Sequence, residues 1–456
     1  MHSNLKEKDK RYVWHPYTQM RDYINMLDAP VIVKGEGPYL IDEDGVRYLD
    51  GVASMWCNVW GHTRQEIVNA IIDQVRELQH STLFGLTNDK AVILAEMLVS
   101  IAKGMGKVFY SDNGSTAVEV ALKMALQYWY NKGYSGKRVF ISLENAYHGD
   151  TVGAMSVGYL EHFFKPYESM LFYVKKVPTP YMYRKHLSMS DYDYMQYCLD
   201  ILEKELKEHS NDSKGNSIAG VVMESGAQIA GGGIVYPKGY QKAVRELCNK
   251  YDALFILDEV ATGFGRLGSM VEYIEQESIP DIVAFGKMLT AGYLPLAVTL
   301  STDDVYNAFL GEYEENKHLF HGHTFTGNPI ACACAIANIE LYKREDLIAK
   351  VRSNARIIED RLDEFMSYSI VGDVRHKGML LAVELVKDRA SKVPLRLKHK
   401  RVNYAIMQEA LKRRVFLRPL GHIMLIIPPL ALSKDILNTL LDNALDIIDT
   451  LQRDVL

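Results

Sequence analysis

Residues 254–268, LFILDEVATGFGRLG, and residues 280–292, PDIVAFGKMLTAG, decide how this chain is read. The first opens as the apolar run Leu254 to Leu257 and ends in Asp258 and Glu259; the second carries Lys287 just past another apolar run. Short apolar runs bounded by polar and glycine residues read as strands. An acid emerging at one strand end and a lysine just beyond another can hold opposite ends of a flat heteroaromatic ring.

The same alternation extends outward. KVFYSD is followed by STAVEVALKMALQYW, and AGVVMES by KGYQKAVRELCNKY, with RVFISL and PLAVTLST as further short apolar runs. Strands separated by helical patterns predict an α/β fold, with a mostly parallel sheet joined by crossover helices. After about Ala335 the pattern changes to one long amphipathic helix over residues 337–366, then strand-like GMLLAVELV and VFLRPL, and a final helix from about Ser433. That predicts a smaller α+β domain. A tyrosine-rich stretch, residues 159–217, reads as an insertion with no legible function.

With 456 residues, 48% of them hydrophobic and 24% charged, the chain can build two or three packed units. A formal charge of -5 without long like-charge blocks points to small-molecule substrates, with no nucleic acid and no membrane as partner. The start, MHSNLKEKDKRY, is hydrophilic, and no apolar run approaches the ~20 residues that span a bilayer, so a cytoplasmic protein is expected. Five cysteines without CxxC spacing suggest neither a disulfide framework nor a zinc site.

The stretch FILDEVATGFGRLG with PDIVAFGK resembles the signature of the class III (omega) aminotransferases. The segments RYVWHPYTQM (residues 11–20), YHGDTVGAMSVG (147–158) and FLRPLG (416–421) are similar to the branch of that family that aminates 8-amino-7-oxononanoate to 7,8-diaminononanoate in biotin biosynthesis. The resemblance runs from about Trp14 to about Pro429. It implies the fold type I architecture of pyridoxal phosphate-dependent transferases: an N-terminal segment 1–60 completing the small domain and covering the active site, a large cofactor domain 61–335 and a C-terminal small domain 336–456. It places pyridoxal 5'-phosphate at the carboxyl ends of the strands, between the domains, in a homodimer with shared active sites.

By the resemblance, Lys287 attaches the cofactor and carries a proton, and Asp258 pairs with the ring nitrogen. In YSDNGSTAVEVALKMA, Asn113, Gly114, Ser115 and Thr116 precede an amphipathic helix, which reads equally as a cap or an anion site; the family uses this loop for the phosphate, so Gly114 and Ser115 are assigned there. Tyr147 takes the position of the ring stacked on the cofactor, and Glu224 that of an acid near it, although Ser225 stands where the family more often has proline. HGHTFTGNP matches the segment that reaches a neighbouring subunit's phosphate, with Gly322, His323 and Thr324. His321 and His323 lack the further partners of a metal site, so no metal is expected.

For substrate, the resemblance assigns Arg418 to a carboxylate and Tyr17 to the polar end of the oxononanoate, which also puts Tyr17 among the catalytic candidates. Asp150 reads as a partner for a substrate ammonium or as a turn cap. Trp14 reads as packing or as pocket cover, and Arg266 as near the cofactor or as a solvated surface residue. In GVASMWCNVWGH, Met55 precedes Trp56 where S-adenosylmethionine-using members tend to carry two tryptophans. Losing one aromatic wall weakens a cation-on-ring contact worth ~0.5–2 kcal/mol, so lysine and S-adenosylmethionine both stay open as amino donor. The nearest rival function is an omega-aminotransferase of the 4-aminobutyrate or ornithine type; an aminomutase and a non-catalytic cofactor-binding regulator lie further off.

Overall fold

The computed structural model of the chain describes residues 4–186, 188–209, 215–398 and 400–455. Residues 187 and 210–214 of the tyrosine-rich stretch lie outside them. Two compact units divide the chain: a larger one of residues 65–355 with 375–380, and a smaller one of residues 1–64, 356–374 and 381–456.

In chain order the first strands are β1 (Ile32–Glu36), β2 (Tyr39–Asp42), β3 (Arg47–Asp50), β4 (Lys107–Ser111), β5 (Lys137–Leu143) and β6 (Val174–Val177). Then come β7 (Ser217–Glu224), β8 (Ala227–Gln228), β9 (Ile234–Val235), β10 (Leu254–Asp258), β11 (Ile282–Phe285) and β12 (Ala297–Ser301). The last are β13 (Val371–Lys377), β14 (Leu380–Leu385), β15 (Val415–Phe416) and β16 (Ile423–Ile426).

The larger unit is built on a seven-stranded sheet in the order β4-β12-β11-β10-β7-β5-β6. Its pairs are parallel except where β12 runs antiparallel to β11 and β4. Every residue of β7 and β10 is buried, so neither face meets water, and both read as apolar runs without alternation, Ile218 to Met223 and Leu254 to Leu257, up to the acid that ends each. The helix Gly114–Asn131 lays Ala117, Val118, Ala121 and Ala125 into one cluster with Val222, Ile256 and Ala284 of the sheet. Small side chains at helical spacing let the two backbones come close, and Thr299 Oγ1 donates to the Ala117 carbonyl at 2.7 Å. The register then fixes the strand ends: Asp258 pairs with Glu224 on one side and Ala284 on the other, and Lys287 follows soon after.

Where the sequence predicts one long helix over 337–366, the structure has three, Pro329–Arg344, Leu347–Glu359 and Leu362–Met366. Asp346 takes φ 47° between the first two, a left-handed backbone that cannot continue a right-handed helix.

In the smaller unit β1, β2 and β3 form an antiparallel sheet that β15 extends by pairing parallel with β3, and β14 pairs antiparallel with β16. The final helix Lys434–Val455 buries Leu437, Leu440, Leu441, Ala444, Ile447, Ile448 and Leu451, the stripe expected of an amphipathic helix. Near the N-terminus Tyr23 and Leu27 cluster with Tyr404.

One carboxylate holds the entry to the central strands. Asp281 accepts from both Arg245 nitrogens at 2.6 and 3.2 Å and from the Phe255 N–H at 2.7 Å. Asp281→Ala strands a guanidinium and a backbone donor in partly buried surroundings; the expected loss is about 2 kcal/mol, read by urea unfolding.

Candidate active site

Asp258 closes β10 with only 6% of its surface exposed. Its Oδ1 accepts the Val260 N–H at 2.9 Å, and its Oδ2 lies 2.8 Å from Nδ1 of buried His148. A carboxylate only accepts, so Nδ1 carries the proton of that bond. The far ring atom, His148 Nε2, is buried and has no hydrogen-bond partner among the described residues. His148 therefore meets the rest of the site through Asp258, whose carboxylate plane it fixes.

Glu224, on the neighbouring strand end, accepts the N–H groups of Tyr147 at 3.3 Å and Ile229 at 3.1 Å. Burial, and after it the charge of Asp258, push Glu224 up to about 8, while the charge of Lys287 pulls the other way. Those two influences put both the Asp258 carboxylate and the Lys287 amine within electrostatic reach of Glu224. Glu259, the next residue after Asp258, points elsewhere: it accepts the N–H groups of Glu272 and Tyr273, capping the short helix Glu272–Glu275.

Lys287 opens a tight turn, Lys287–Thr290, with φ 43°, a backbone region that side chains other than glycine occupy at a cost. Asn338 pins that turn from behind, its amide donating to the carbonyls of Met288 at 2.8 Å and Leu289 at 3.0 Å. This explains ACACAIAN: Ala331, Cys332, Ala333, Cys334 and Ala335 are all buried in the helix Pro329–Arg344, and small side chains are what bring Asn338 to the lysine turn.

Gly114 and Ser115 are the first residues of the helix Gly114–Asn131, where backbone N–H groups have no acceptor within the helix. Asn113 caps it, its side chain accepting the Thr116 N–H at 3.1 Å, so the cap reading of this turn holds. A Cβ on Gly114 would sit 2.5 Å from Val260 Cγ1, and one on Gly286 3.3 Å from the same atom. Two glycines thus bring the helix start and the lysine turn together against the strand that ends in Asp258. Ser115 Oγ lies 2.8 Å from Thr151 Oγ1 and accepts the Thr151 N–H at 3.1 Å, which ties the helix start to the YHGDT loop. In that loop Tyr147 donates its hydroxyl to Asp150 at 3.0 Å and stacks on Phe164.

Gly322 and Thr324 are exposed, while His323 lies with Nδ1 3.9 Å from Asp112 and Nε2 3.4 Å from His321. Among the described residues no three His, Cys, Asp or Glu side chains gather as metal ligands. Arg266 is not a surface residue: it is fully buried, with Nη1 donating to the Met379 carbonyl at 3.2 Å.

Within the smaller unit the segments 14–20, 53–56 and 416–421 converge. The Arg418 guanidinium carbon is 5.9 Å from the Tyr17 ring centre, and Nη1 is 4.0 Å from Met55 Sδ. Tyr17 and Met55 are 48% and 42% exposed, whereas Trp56 is buried at 5%, so Met55 is the one that faces outward. Trp14 is exposed.

Pyridoxal phosphate fits the larger unit on its own chemistry: an acid and a lysine at adjoining strand ends, a helix start built for an anion and an aromatic ring in the neighbouring loop. His148 and Asn338 are the two residues that sequence reasoning passed over. His148 stood inside the YHGD motif, and Asn338 was the single amide in a row of small residues. The raised Glu224 has a consequence for stability. The folded protein keeps a proton that the unfolded chain gives up above its ordinary 4.5, so this group's contribution falls as pH rises from there to about 8. Glu224→Gln is expected to flatten the decline in unfolding free energy over that range by up to one proton's slope, measured by urea unfolding at several pH values.

Comparison with known proteins agrees with this geometry. Residues 19–448 match the family described as Aminotransferase class-III. The chain is 48% identical to an adenosylmethionine-8-amino-7-oxononanoate aminotransferase of Geobacter sulfurreducens over 96% of each chain. It is 44% identical to the enzyme of the same name from Aquifex aeolicus, covering 99% of this chain and 98% of that one. Among solved structures, the adenosylmethionine-8-amino-7-oxononanoate aminotransferase of Methanocaldococcus jannaschii superposes with a TM-score of 0.90 at 40% identity over 98% of each chain. An omega transaminase of Pseudomonas jessenii in complex with PMP reaches 0.92 at 30% identity, again over 98% of each. Sequence, fold and the Asp258–Lys287 arrangement thus converge on one conclusion: the chain belongs to the class III aminotransferases, enzymes that depend on pyridoxal phosphate.

Proposed function

We propose that this aminotransferase converts 8-amino-7-oxononanoate to 7,8-diaminononanoate, a step of biotin biosynthesis, with lysine or S-adenosylmethionine as amino donor. The observation that carries the reading is the meeting of Arg418, Tyr17 and Met55, a cation, a phenol and an apolar thioether at one place. A carboxylate at the end of a methylene chain asks for that set. The names of the relatives from Geobacter sulfurreducens, Aquifex aeolicus and Methanocaldococcus jannaschii support the same acceptor.

When bound, the cofactor supplies the electron sink that lets an amino group leave one carbon and join another. The residues of this chain do the rest. The Lys287 amine would attach the cofactor and, once released from it, move the proton at the reacting carbon. The Asp258 carboxylate, oriented by His148, would hold the ring nitrogen in its charged form. The Gly114 and Ser115 N–H groups would take the phosphate at the helix start, and the Tyr147 ring would lie against the cofactor face. Glu224, with its raised affinity for a proton, would add an acid beside them. Arg418 would orient the substrate carboxylate, Tyr17 its polar end, and Asp150 an ammonium. Trp56 would support Met55 from the buried side.

We place the reaction in a homodimer in the cytoplasm. Among the described residues the five cysteines form no disulfide, which suits a reducing compartment. Among the described residues no helix is long and apolar enough to cross a membrane. Beside Gly322 the exposed Phe84 ring is the nearest neighbour a Cβ would meet, and exposed Phe325 lies against His80. Aromatic rings left open around residues 322–325 suit burial by a second copy, and Thr324, with Gly322 and His323, would then serve the partner's phosphate.

Incubating the purified enzyme with 8-amino-7-oxononanoate and either lysine or S-adenosylmethionine, with diaminononanoate read by mass spectrometry, tests the reaction. Product with one donor assigns it; no product with either, while 4-aminobutyrate or ornithine is consumed with a keto acid, moves the substrate elsewhere. Shared sites make a separate prediction. Lys287→Ala and Thr324→Asp, each nearly inactive alone, should recover activity when unfolded and refolded together, because mixed dimers hold one intact site. A mixture no more active than its parts would contradict sharing.

A further inference from the structure

The segment that carries Met55 has an improbable backbone. Ala53, Ser54 and Trp56 take φ of 50°, 58° and 64°, and none is glycine. Ser54 combines its φ with ψ -70°, and Met55 sits at φ -140°, ψ 56°. L-residues adopt such torsions only where their surroundings over-determine them.

A single carboxylate does so here. Asp50, fully buried at the end of β3, accepts the Ser54 N–H on Oδ1 at 2.8 Å and the Ser54 hydroxyl on Oδ2 at 2.9 Å. His62 Nε2 lies 3.1 Å from Oδ2 and 3.3 Å from the Asn58 amide nitrogen; in its bond to the carboxylate, which only accepts, the ring nitrogen is the donor. Both oxygens are thus committed, one to the backbone and one to two side-chain donors. A carboxylate so held has one orientation, and it passes that orientation to Ser54.

The same residue is tied to the strand that leads to Arg418. Asp50 pairs with Phe416 in the parallel β3–β15 ladder, and the Gly51 N–H donates to the Phe416 carbonyl at 3.0 Å. A Cβ on Gly51 would stand 2.7 Å from Leu417 Cδ2, so the two stretches already run as close as a glycine allows. Two residues past Phe416 comes Arg418, with Met55 Sδ 4.0 Å from its Nη1. Neither the β3–β15 pairing nor the Ser54 bonds alone would set that spacing. Asp50 is the residue common to both.

We propose that Asp50 is a positioning residue for substrate selection: through Ser54 on one side and the β3–β15 register on the other, it fixes the spacing between Met55 and Arg418, and with it the chain length accepted next to a substrate carboxylate. The inference rests on the reading that Arg418 and Met55 contact substrate. Asp50 itself, buried beneath the segment, touches none. Its effect reaches the substrate through the placement of the Met55 side chain beside the guanidinium.

Two variants test it. Ser54→Gly removes the hydroxyl donor, yet glycine accepts the positive φ freely, so the fold is retained while the segment loosens. Asp50→Asn keeps an acceptor for the Ser54 N–H and loses the charge that holds His62. KM and kcat are measured for 8-amino-7-oxononanoate and for an analogue one methylene shorter, alongside the absorption spectrum of the bound cofactor and the melting temperature. The expected result in Ser54→Gly is a KM about tenfold higher with kcat nearly unchanged, and reduced discrimination against the shorter analogue. The cofactor spectrum stays as in the parent and the melting temperature does not fall. Unchanged KM and unchanged discrimination in Ser54→Gly would overturn the proposal, and Asp50→Asn that loses only melting temperature would do the same. If Asp50→Asn does not fold, Ser54→Gly decides. If the parent enzyme does not convert 8-amino-7-oxononanoate, the functional reading falls instead. The comparison is then made on a carboxylate-bearing amine that changes the cofactor spectrum, where a raised KM in Ser54→Gly supports the role of Asp50 and an unchanged one removes it.

Discussion

Complete burial of the central strands is the constraint from which the rest of the larger unit follows. β7 and β10 have no exposed residue along their length, so a charged side chain within them would lose its hydration without compensation. Charge is therefore confined to the last residue of each. Register makes those last residues neighbours, Glu224 beside Asp258, and the turn after β11 brings Lys287 to the same end. Charged groups of β7 and β10 stand at the strand ends because these two central strands have no other place to put them.

Gathering like charges has its own consequence, visible at Glu224. Burial first, and then the charge of Asp258 at the adjoining strand end, make Glu224 hold its proton to about 8. Asp258 instead accepts from His148 and from the Val260 N–H. Two residues of nearly the same chemistry thus meet different surroundings: one carboxylate is tied to an imidazole and a backbone N–H, the other has a strong hold on its proton.

Much of this is legible in the sequence. The apolar runs, the strand-to-helix turn at Asn113 and the Asp258–Lys287 pair are local patterns, set by burial and capping, and the structure has the strands and the turn where those patterns stand. What stayed hidden depends on partners far along the chain. Nothing near His148 in sequence says that it will meet Asp258, and nothing near Asn338 says that its amide will hold the turn after Lys287. The break at Asp346 escaped because an amphipathic period continues across it; a single residue at φ 47° leaves little mark on periodicity. Arg266 was legible only as a choice between a place near the cofactor and the solvated surface, since an arginine among glycines carries no sign of the carbonyl that receives it.

Lys287 occupies a torsion that glycine or asparagine would adopt at less cost. With Lys287 in the proposed role, selection for a well-folded chain and selection for a working enzyme would favour different residues at this position. A descendant released from catalysis would drift there early, trading its amine for an easier backbone while the sheet beneath it stayed intact. In a lineage with this fold, a small residue after the FG of β11 would therefore be the mark of a lost activity, legible long after the rest of the site had begun to change.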